Sequence, residues 1–273
     1  MISYPFEVHG VATRVLEAGT AGPPVVFVHG TGGRAERWER NLDAAAAAGY
    51  HAYAFDLPGH GFAAKGRGVE CSVPAYRALL SGFVDEILQS SKSEKAFVVG
   101  TSLGGHVVAS YAVETPQRVK AIALCGSMGL VPMGTEARSR IQAGANNQTR
   151  EGIAAKFTRV IFDQSLVTPE MVEAEYRINN SPGAKESFAT LGKYIAERLD
   201  DDVVGEKLAA SAVPVLLAWG DQDKTVPLAV GQQAAKLLPK SKLVTLPGAA
   251  HTPYYEKHRD FNAALAEFLA THA

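Results

Sequence analysis

Residues 96–112, AFVVGTSLGGHVVASYA, decide the fold that this sequence predicts. A short apolar run is followed by GTSLGG at positions 100–105 and then by an apolar segment with helical spacing. A strand that turns directly into a helix at Gly-x-Ser-x-Gly is typical of a strained turn that exposes a nucleophilic serine. The glycines leave room for that turn, and the start of the helix directs partial positive charge at an anion formed there. We therefore expect Ser102 to be a nucleophile.

Length, composition and charge limit the class of protein. The chain has 273 residues, 47% of them hydrophobic, which is enough for one substantial core. Lys and Arg total 27 against 28 for Asp and Glu, so no charge pattern favours nucleic acid or an acidic membrane. We expect a small-molecule substrate, and a homodimer stays open. The sequence has neither a leader pattern nor a long apolar span, which favours a soluble, cytoplasmic protein.

The two cysteines, Cys71 and Cys125, are 54 positions apart and have no partner spacing typical of a disulfide framework or a zinc site. We expect reduced, buried thiols and no metal.

Short β-branched runs alternate with helical patterns along the chain. A hairpin is predicted to turn at His9-Gly10, and six continuous apolar runs predict buried parallel strands. These runs are PVVFVHG, YHAYAFD, KAFVVG, VKAIALCG, VPVLLAWG and SKLVTLPG. Helices are predicted near 35–48, 73–90, 102–114, 227–238 and 258–271. The alternation predicts an α/β fold with a mostly parallel, doubly wound sheet.

One connection is too long for this alternation. More than 80 residues separate ALCGSMG from VPVLLAWG, and they contain helical patterns such as PEMVEAEYRINN. Structureless loops of that length are uncommon, so we expect a helical insertion over one face of the sheet. The predicted organisation is a core at 1–130 and 207–273 and a helical cap at 131–206.

A serine hydroxyl needs a general base, and the base needs an acid to orient it. His251 follows the strand SKLVTLPG and is the best placed of eight histidines. His29 and His60 also follow strands, but neighbouring glycines indicate packing roles, and His106 lies one helical turn beyond Ser102. We expect His251 to be the base.

Two aspartates follow the strand VPVLLAWG, and a third closes YHAYAFD. Asp221 is equally typical of a turn former, and Asp56 is the third candidate. Asp223 is the preferred acid, because it gives the chain order Ser102, Asp223, His251 expected for this architecture. All three residues follow strands, and open α/β sheets place their sites at the carboxyl ends of strands.

The oxyanion of an acyl-transfer reaction needs hydrogen-bond donors. The amide of Leu103, the first residue of the helix, is one candidate, and the backbone of Thr31 in the turn HGTGG is the second. A phosphate cradle is disfavoured there, because the sequence has neither Gly-x-Gly-x-x-Gly nor a following Lys-Ser/Thr.

Five motifs together resemble α/β-hydrolase-fold serine hydrolases over essentially the whole chain. They are VHGTGG, FDLPGHG, VGTSLGGHVVASYA, LLAWGDQDKTVP and LPGAAHTPYYEKHRDFNAALAEFL, in the order and spacing of that family. The resemblance implies a catalytic triad of Ser102, Asp223 and His251, an oxyanion hole from the amides of Thr31 and Leu103, a structural Asp56, a helical cap and no cofactor.

The substrate is less well defined by the sequence. The cap and outline resemble hydrolases of ring-cleavage products, but GTSLGG stands where that subfamily usually has GNSMGG. Thr252 stands in place of a tryptophan, and Glu175 roughly at the position of a cap arginine. Ser102 excludes the acidic nucleophile of dehalogenases and epoxide hydrolases. These departures favour hydrolysis of a carboxylic ester or lactone through an acyl-enzyme, with carbon–carbon hydrolysis as the alternative.

The predicted cap supplies the candidate substrate contacts. Its aromatic residues would line the acyl pocket or hold the cap together, and carbon–carbon hydrolysis would also need a cation from the cap. The aromatic candidates are Phe157, Phe162, Tyr176, Phe188 and Tyr194, and the cationic candidates are Arg177, Lys156 and Arg159. A second alternative, a ligand receptor with vestigial hydrolysis, is disfavoured by the complete triad, although fold alone does not decide function.

Overall fold

The computed structural model describes residues 1–273 and contains one eight-stranded sheet in the order β1-β2-β4-β3-β5-β6-β7-β8. The strands are Ile2–Val8, Val11–Ala18, Pro24–Val28, His51–Phe55, Ala96–Thr101, Val119–Cys125, Val215–Gly220 and Lys242–Leu246, numbered β1 to β8. β1 and β2 form the predicted hairpin at the antiparallel edge. The six predicted strands, β3 to β8, are all parallel, which confirms the doubly wound interpretation.

Eleven α-helices connect and cover the strands. They are Glu39–Ala47, Val73–Ser91, Leu103–Glu114, Thr135–Asn146, Arg150–Val160, Pro169–Asn179, Ala184–Arg198, Gly205–Ala210, Leu228–Leu237, Pro253–Glu256 and His258–Thr271, numbered α1 to α11. The first turn predicted at 35–48 is a 3-10 helix over Ala35–Trp38, and the α-helix follows it. Ser72 caps α2 by accepting a hydrogen bond from the Ala75 amide, and Pro74 lies in the first turn, where its missing N–H costs no helical hydrogen bond.

The core lies on both faces of the sheet, since β3 to β7 are almost wholly buried. Tyr76 of α2 and Val108 of α3 pack with the apolar residues of one face. Leu42 of α1 and Phe261 of α11 pack with those of the other. Burial on both faces explains why the strand sequences are continuously apolar rather than alternating.

The long connection between β6 and β7 contains helices α4 to α8. It has a small apolar cluster, Ile153, Phe157 and Ile161, which runs along α5 to the residue after its end. That end of α5 is also tied to the loop after β8, where the Thr252 amide and hydroxyl both donate to the Val160 carbonyl, at 3.1 and 2.9 Å. The segment therefore lies over the carboxyl ends of β5, β7 and β8.

Both cysteines are buried and unpaired, as expected, and burial raises the pKa of the Cys125 thiol. None of the helices combines the length and the apolar character that a membrane span requires.

Candidate active site

Ser102 occupies the sharp turn between β5 and α3, with φ 54° and ψ −120°. This left-handed φ is a strained backbone conformation for a serine. A Cβ added at Gly100 would lie 2.4 Å from the carbonyl oxygen of Gly104, and one at Gly104 would lie 2.3 Å from that of His29. Only glycine fits either position, so the sequence GTSLGG holds the serine at the tip of the turn.

His251 and Asp223 form a hydrogen-bonded pair at the ends of the neighbouring strands. The His251 Nδ1 lies 2.7 Å from Oδ2 of Asp223, and both side chains are buried. The other oxygen, Oδ1, accepts hydrogen bonds from the amides of Thr225 and Val226, at 2.8 and 2.9 Å. These backbone donors fix the carboxylate, which in turn orients the imidazole with Nε2 available as a base.

Ser102 and His251 line one cavity with two lobes. The first lobe continues between Phe157, Ile161 and Tyr254. The second continues between Met128, Ile141, Ala145 and Gln148. Thr31, Lys156 and Val160 belong to both lobes. The Ser102 hydroxyl and His251 share this lining without a hydrogen bond between them, and such bonds commonly shorten only when substrate is bound.

The two expected oxyanion donors lie beside Ser102. Leu103 is the first residue of α3, where amides have no intrahelical acceptor. Thr31 follows Gly30 in a turn closed by the Gly33 amide and the Gly30 carbonyl at 3.0 Å, and its own amide donates to no other backbone group. Both amides are therefore free to bind an oxyanion in the cavity.

The rival histidines have structural roles. Nε2 of His29 accepts a hydrogen bond from the Leu57 amide at 2.9 Å, and burial lowers its pKa to about 4. Burial lowers the pKa of His60 to about 3, and that ring lies 5.2 Å from the ring of His29. Nε2 of His106 lies 2.7 Å from the Asp202 carbonyl, and burial lowers its pKa. All three are outside the lining of the cavity.

The rival aspartates are also structural. Asp221 accepts a hydrogen bond from the Gly248 amide at 2.8 Å, as a turn former would. Asp56 is fully buried, and its carboxylate accepts from the amides of Ala35 and Phe62, both at 2.8 Å, and pairs with Arg14. Burial is the largest influence on Asp56 and raises its pKa.

Four of the expected substrate contacts lie outside the lining of both lobes. Phe162 is 54% exposed at the end of α5, and Arg177 is exposed and paired with Glu173 one turn before it. Tyr176 stacks under the Arg150 guanidinium on the outside of the segment. Phe188 is buried against the ring of His60.

Phe157 lines the first lobe, Lys156 lines both lobes and Arg159 lines the second. The last aromatic candidate, Tyr194, donates to Asp202 at 2.5 Å and lies outside both lobes.

Sequence reasoning missed three further cations in the lining, Arg37, Arg140 and Lys224. It also missed the pairing of Glu175, whose fully buried carboxylate accepts from both Arg37 and Lys156. Arg37 lies only four residues after Gly33 of the oxyanion turn, and this short separation was the available signal that it would lie near the site.

Comparisons with known proteins agree with this fold. The family model for the alpha/beta hydrolase fold matches residues 23–258. A dihydrolipoyllysine-residue acetyltransferase component of the acetoin cleaving system from Cupriavidus necator is 32% identical over 98% of this chain and 69% of that protein. A 2-hydroxy-6-oxononadienedioate/2-hydroxy-6-oxononatrienedioate hydrolase from Burkholderia vietnamiensis is 29% identical over 93% of this chain and 89% of that protein. The structure of a meta-cleavage product hydrolase from Pseudomonas fluorescens IP01 superposes with a TM-score of 0.85 at 23% identity, covering 99% of this chain and 98% of that one.

Proposed function

The chain belongs to the α/β-hydrolase-fold family, and from this premise we propose that it hydrolyses a carbon–carbon bond in a carboxylate-bearing ring-cleavage product. Ser102 is the nucleophile, His251 the general base and acid, and Asp223 the group that orients His251. The amides of Thr31 and Leu103 form the oxyanion hole, and residues 131–206 form the cap that closes the cavity.

One observation carries the choice of substrate. Five cationic side chains and no carboxylate line the two lobes that Ser102 and His251 share; they are Arg37, Arg140, Lys156, Arg159 and Lys224. A low-dielectric cavity of one sign concentrates substrates of the opposite sign. The cavity therefore suits a substrate with at least one carboxylate.

The residues support a complete reaction cycle. His251 takes the proton of Ser102, the serine oxygen attacks the ketone carbonyl, and the oxyanion is held by the two amides. Before cleavage, the 2-hydroxydiene tautomerises to its 2-oxo form by moving the hydroxyl proton to the carbon beside the ketone. The carbon–carbon bond then breaks, its electrons become an enolate conjugated with the 2-oxo carbonyl, and His251 returns the proton to the departing fragment. Water activated by His251 finally hydrolyses the acyl group from Ser102, which releases a carboxylic acid.

This order of candidates reverses the expectation from the sequence, which placed ester or lactone hydrolysis first. Several relatives carry names of hydrolases that act on hydroxy-oxo-dienoates or their dioate forms, and the cations of the cavity suit such substrates. Ester hydrolysis remains the second candidate because Thr252 and Glu175 occupy the two positions where a tryptophan and an arginine were expected.

Steady-state kinetics with two substrate classes tests the proposal. A 2-hydroxy-6-oxo-dienoate and a series of neutral para-nitrophenyl esters are compared, with Ser102→Ala as the control for background hydrolysis. We expect kcat/KM to be at least tenfold higher for the dienoate. A higher value for the neutral esters would replace the proposed reaction by ester hydrolysis.

A further inference from the structure

A buried ion cluster joins the long helical segment to the core beside the oxyanion turn. Glu175 of α6 accepts from Lys156 of α5 and from Arg37 of the core, and its side chain is fully buried. The side chains of Lys156 and Arg37 are only 17% and 16% exposed. We define Arg37, Lys156 and Glu175 as the ion cluster.

The ion cluster has more positive than negative charge. Two other carboxylates, Glu36 and Glu39, also act on Arg37, and Glu36 is already paired with Arg14 and with Arg34. While Lys156 is protonated, Glu175 therefore balances one of its two cationic partners and leaves about one positive charge. An uncompensated charge in a largely buried site is costly, and a bound anion would relieve that cost.

Lys156 is the cation of the ion cluster that is placed to meet the reacting part of a substrate. The Lys156 Nζ lies 3.4 Å from the carbonyl oxygen of Gly32, which follows Thr31 in the oxyanion turn. A Cβ at Gly32 would lie 3.1 Å from the same Nζ. Lys156 also lies where the two lobes meet, since it lines both together with Ser102 and His251.

From this geometry we infer that Lys156 is the ligand for a carboxylate or enolate oxygen of the substrate, and that Glu175 and Arg37 position it. The inference rests on the proposed function and names the residue that would confer its preference for anions. Position 175, where an arginine was expected, is occupied by Glu175, and this acid holds Lys156 from the preceding helix.

The charge state of Lys156 provides a readout that a purely structural role would not change. Burial, followed by repulsion from the guanidiniums of Arg37, Arg34 and Arg159, holds the pKa of Lys156 well below its usual range. Charged and titratable groups surround Lys156 on every side. They are Glu175 on α6, Arg34, Glu36 and Arg37 after the oxyanion turn, Arg159 on its own helix, Arg140 and Lys224 across the second lobe, and His251, Tyr254 and Tyr255 across the first lobe. Because only the protonated amine binds an anion strongly, the preference for anions should fall as the pH rises through that pKa.

The test compares two para-nitrophenyl esters of equal chain length, the hydrogen glutarate and the pentanoate, which differ by one carboxylate. The measured quantity is the ratio of their kcat/KM values. In Lys156→Gln we expect the ratio to fall about 10- to 100-fold, as for loss of a charge-assisted hydrogen bond. Lys156→Arg should keep most of the ratio and abolish its alkaline decline, because arginine does not titrate in this range.

Lys193→Gln, which alters an exposed lysine of α7, is the matched control and should leave the ratio unchanged. An unchanged ratio in Lys156→Gln, or an equal fall in Lys193→Gln, would overturn the inference. The two proposals fail separately: a Lys156-dependent ratio without cleavage of a dienoate rejects the proposed reaction alone, and a Lys156-independent ratio with dienoate cleavage rejects only the role of Lys156.

Discussion

Two regions of the molecule are held together differently. One is the carboxyl-end edge of the sheet, called the sheet edge below, where Ser102, Asp223 and His251 follow their strands. The other is the segment of α4 to α8 above it. At the sheet edge, the backbone does the positioning: the Ser102 amide donates to the Cys125 carbonyl at 3.0 Å, and two amides hold Asp223. In the segment, side chains do more of the positioning: Lys156 pairs with Glu175, α5 carries a small apolar cluster, and residues of α7 such as Leu191 pack into the main core. Substitutions in the segment can therefore change the substrate without disturbing the proposed chemistry.

The largest effect is expected at the sheet edge, for Ser102→Ala. The loss of the nucleophile should lower kcat by roughly 10⁴- to 10⁶-fold and leave the melting temperature close to that of the wild type. Ser110→Ala is the control, because Ser110 lies on the same helix but bonds Arg77, outside the cavity. If Ser102→Ala retained most of the activity, another residue would have to be the nucleophile.

The next effect separates the two aspartates after β7. Asp223→Asn should lower kcat by about 10³- to 10⁴-fold, since the amide no longer fixes the tautomer of His251. Asp221→Asn keeps an oxygen that can accept from the Gly248 amide and removes only the charge, so it should change kcat by less than about threefold, with a small loss of stability. Equal losses of activity in the two variants would contradict the assignment of the acid.

In the segment above the sheet edge, replacing Phe157 of α5 and replacing Phe162, just after that helix, should change the free energy of unfolding by different amounts. Phe157→Ala removes a ring that is buried in the small apolar cluster and lines the first lobe, so we expect a loss of about 3 to 5 kcal/mol in the free energy of unfolding and a higher KM. Phe162→Ala changes an exposed ring and should cost less than about 0.5 kcal/mol. Urea denaturation measures both, and similar losses would show that the cluster does not hold the segment.

A smaller effect is expected for His29, which lies beneath the sheet edge, on the stability of the protein at acid pH. The pKa of His29 is lowered by burial to about 4, so the unfolded chain binds a proton at His29 more readily than the folded chain does. Stability is therefore full above the unfolded pKa and falls as the pH drops from about 6.5 toward 4. In His29→Gln, the difference in unfolding free energy between these two conditions should be smaller by about 2 kcal/mol. An identical pH dependence in the variant would mean that His29 is already protonated in the folded chain.

The sequence was sufficient to predict the strands and the turn at the sheet edge, but it was insufficient to predict which side chains of the segment above face the cavity. Apolar runs bounded by glycines identify β5 and its turn, because a close approach such as that of Gly104 to His29 excludes side chains. Phe162 and Arg177 were misplaced because helical periodicity cannot tell which side of a helix faces a distant cavity. The pairing of Glu175 with Arg37 joins residues 138 positions apart, and no local pattern predicts it.

Covalent labelling with an organophosphonate, followed by peptide mapping, tests the central assignment most directly. The cavity places a free serine hydroxyl beside His251 and two unpaired amides, so we predict one adduct per chain, on the peptide that contains Ser102. The same experiment on Asp223→Asn should give the same adduct far more slowly, because His251 would no longer be oriented as a base. An adduct on any other residue, or none in the wild-type chain, would contradict the account.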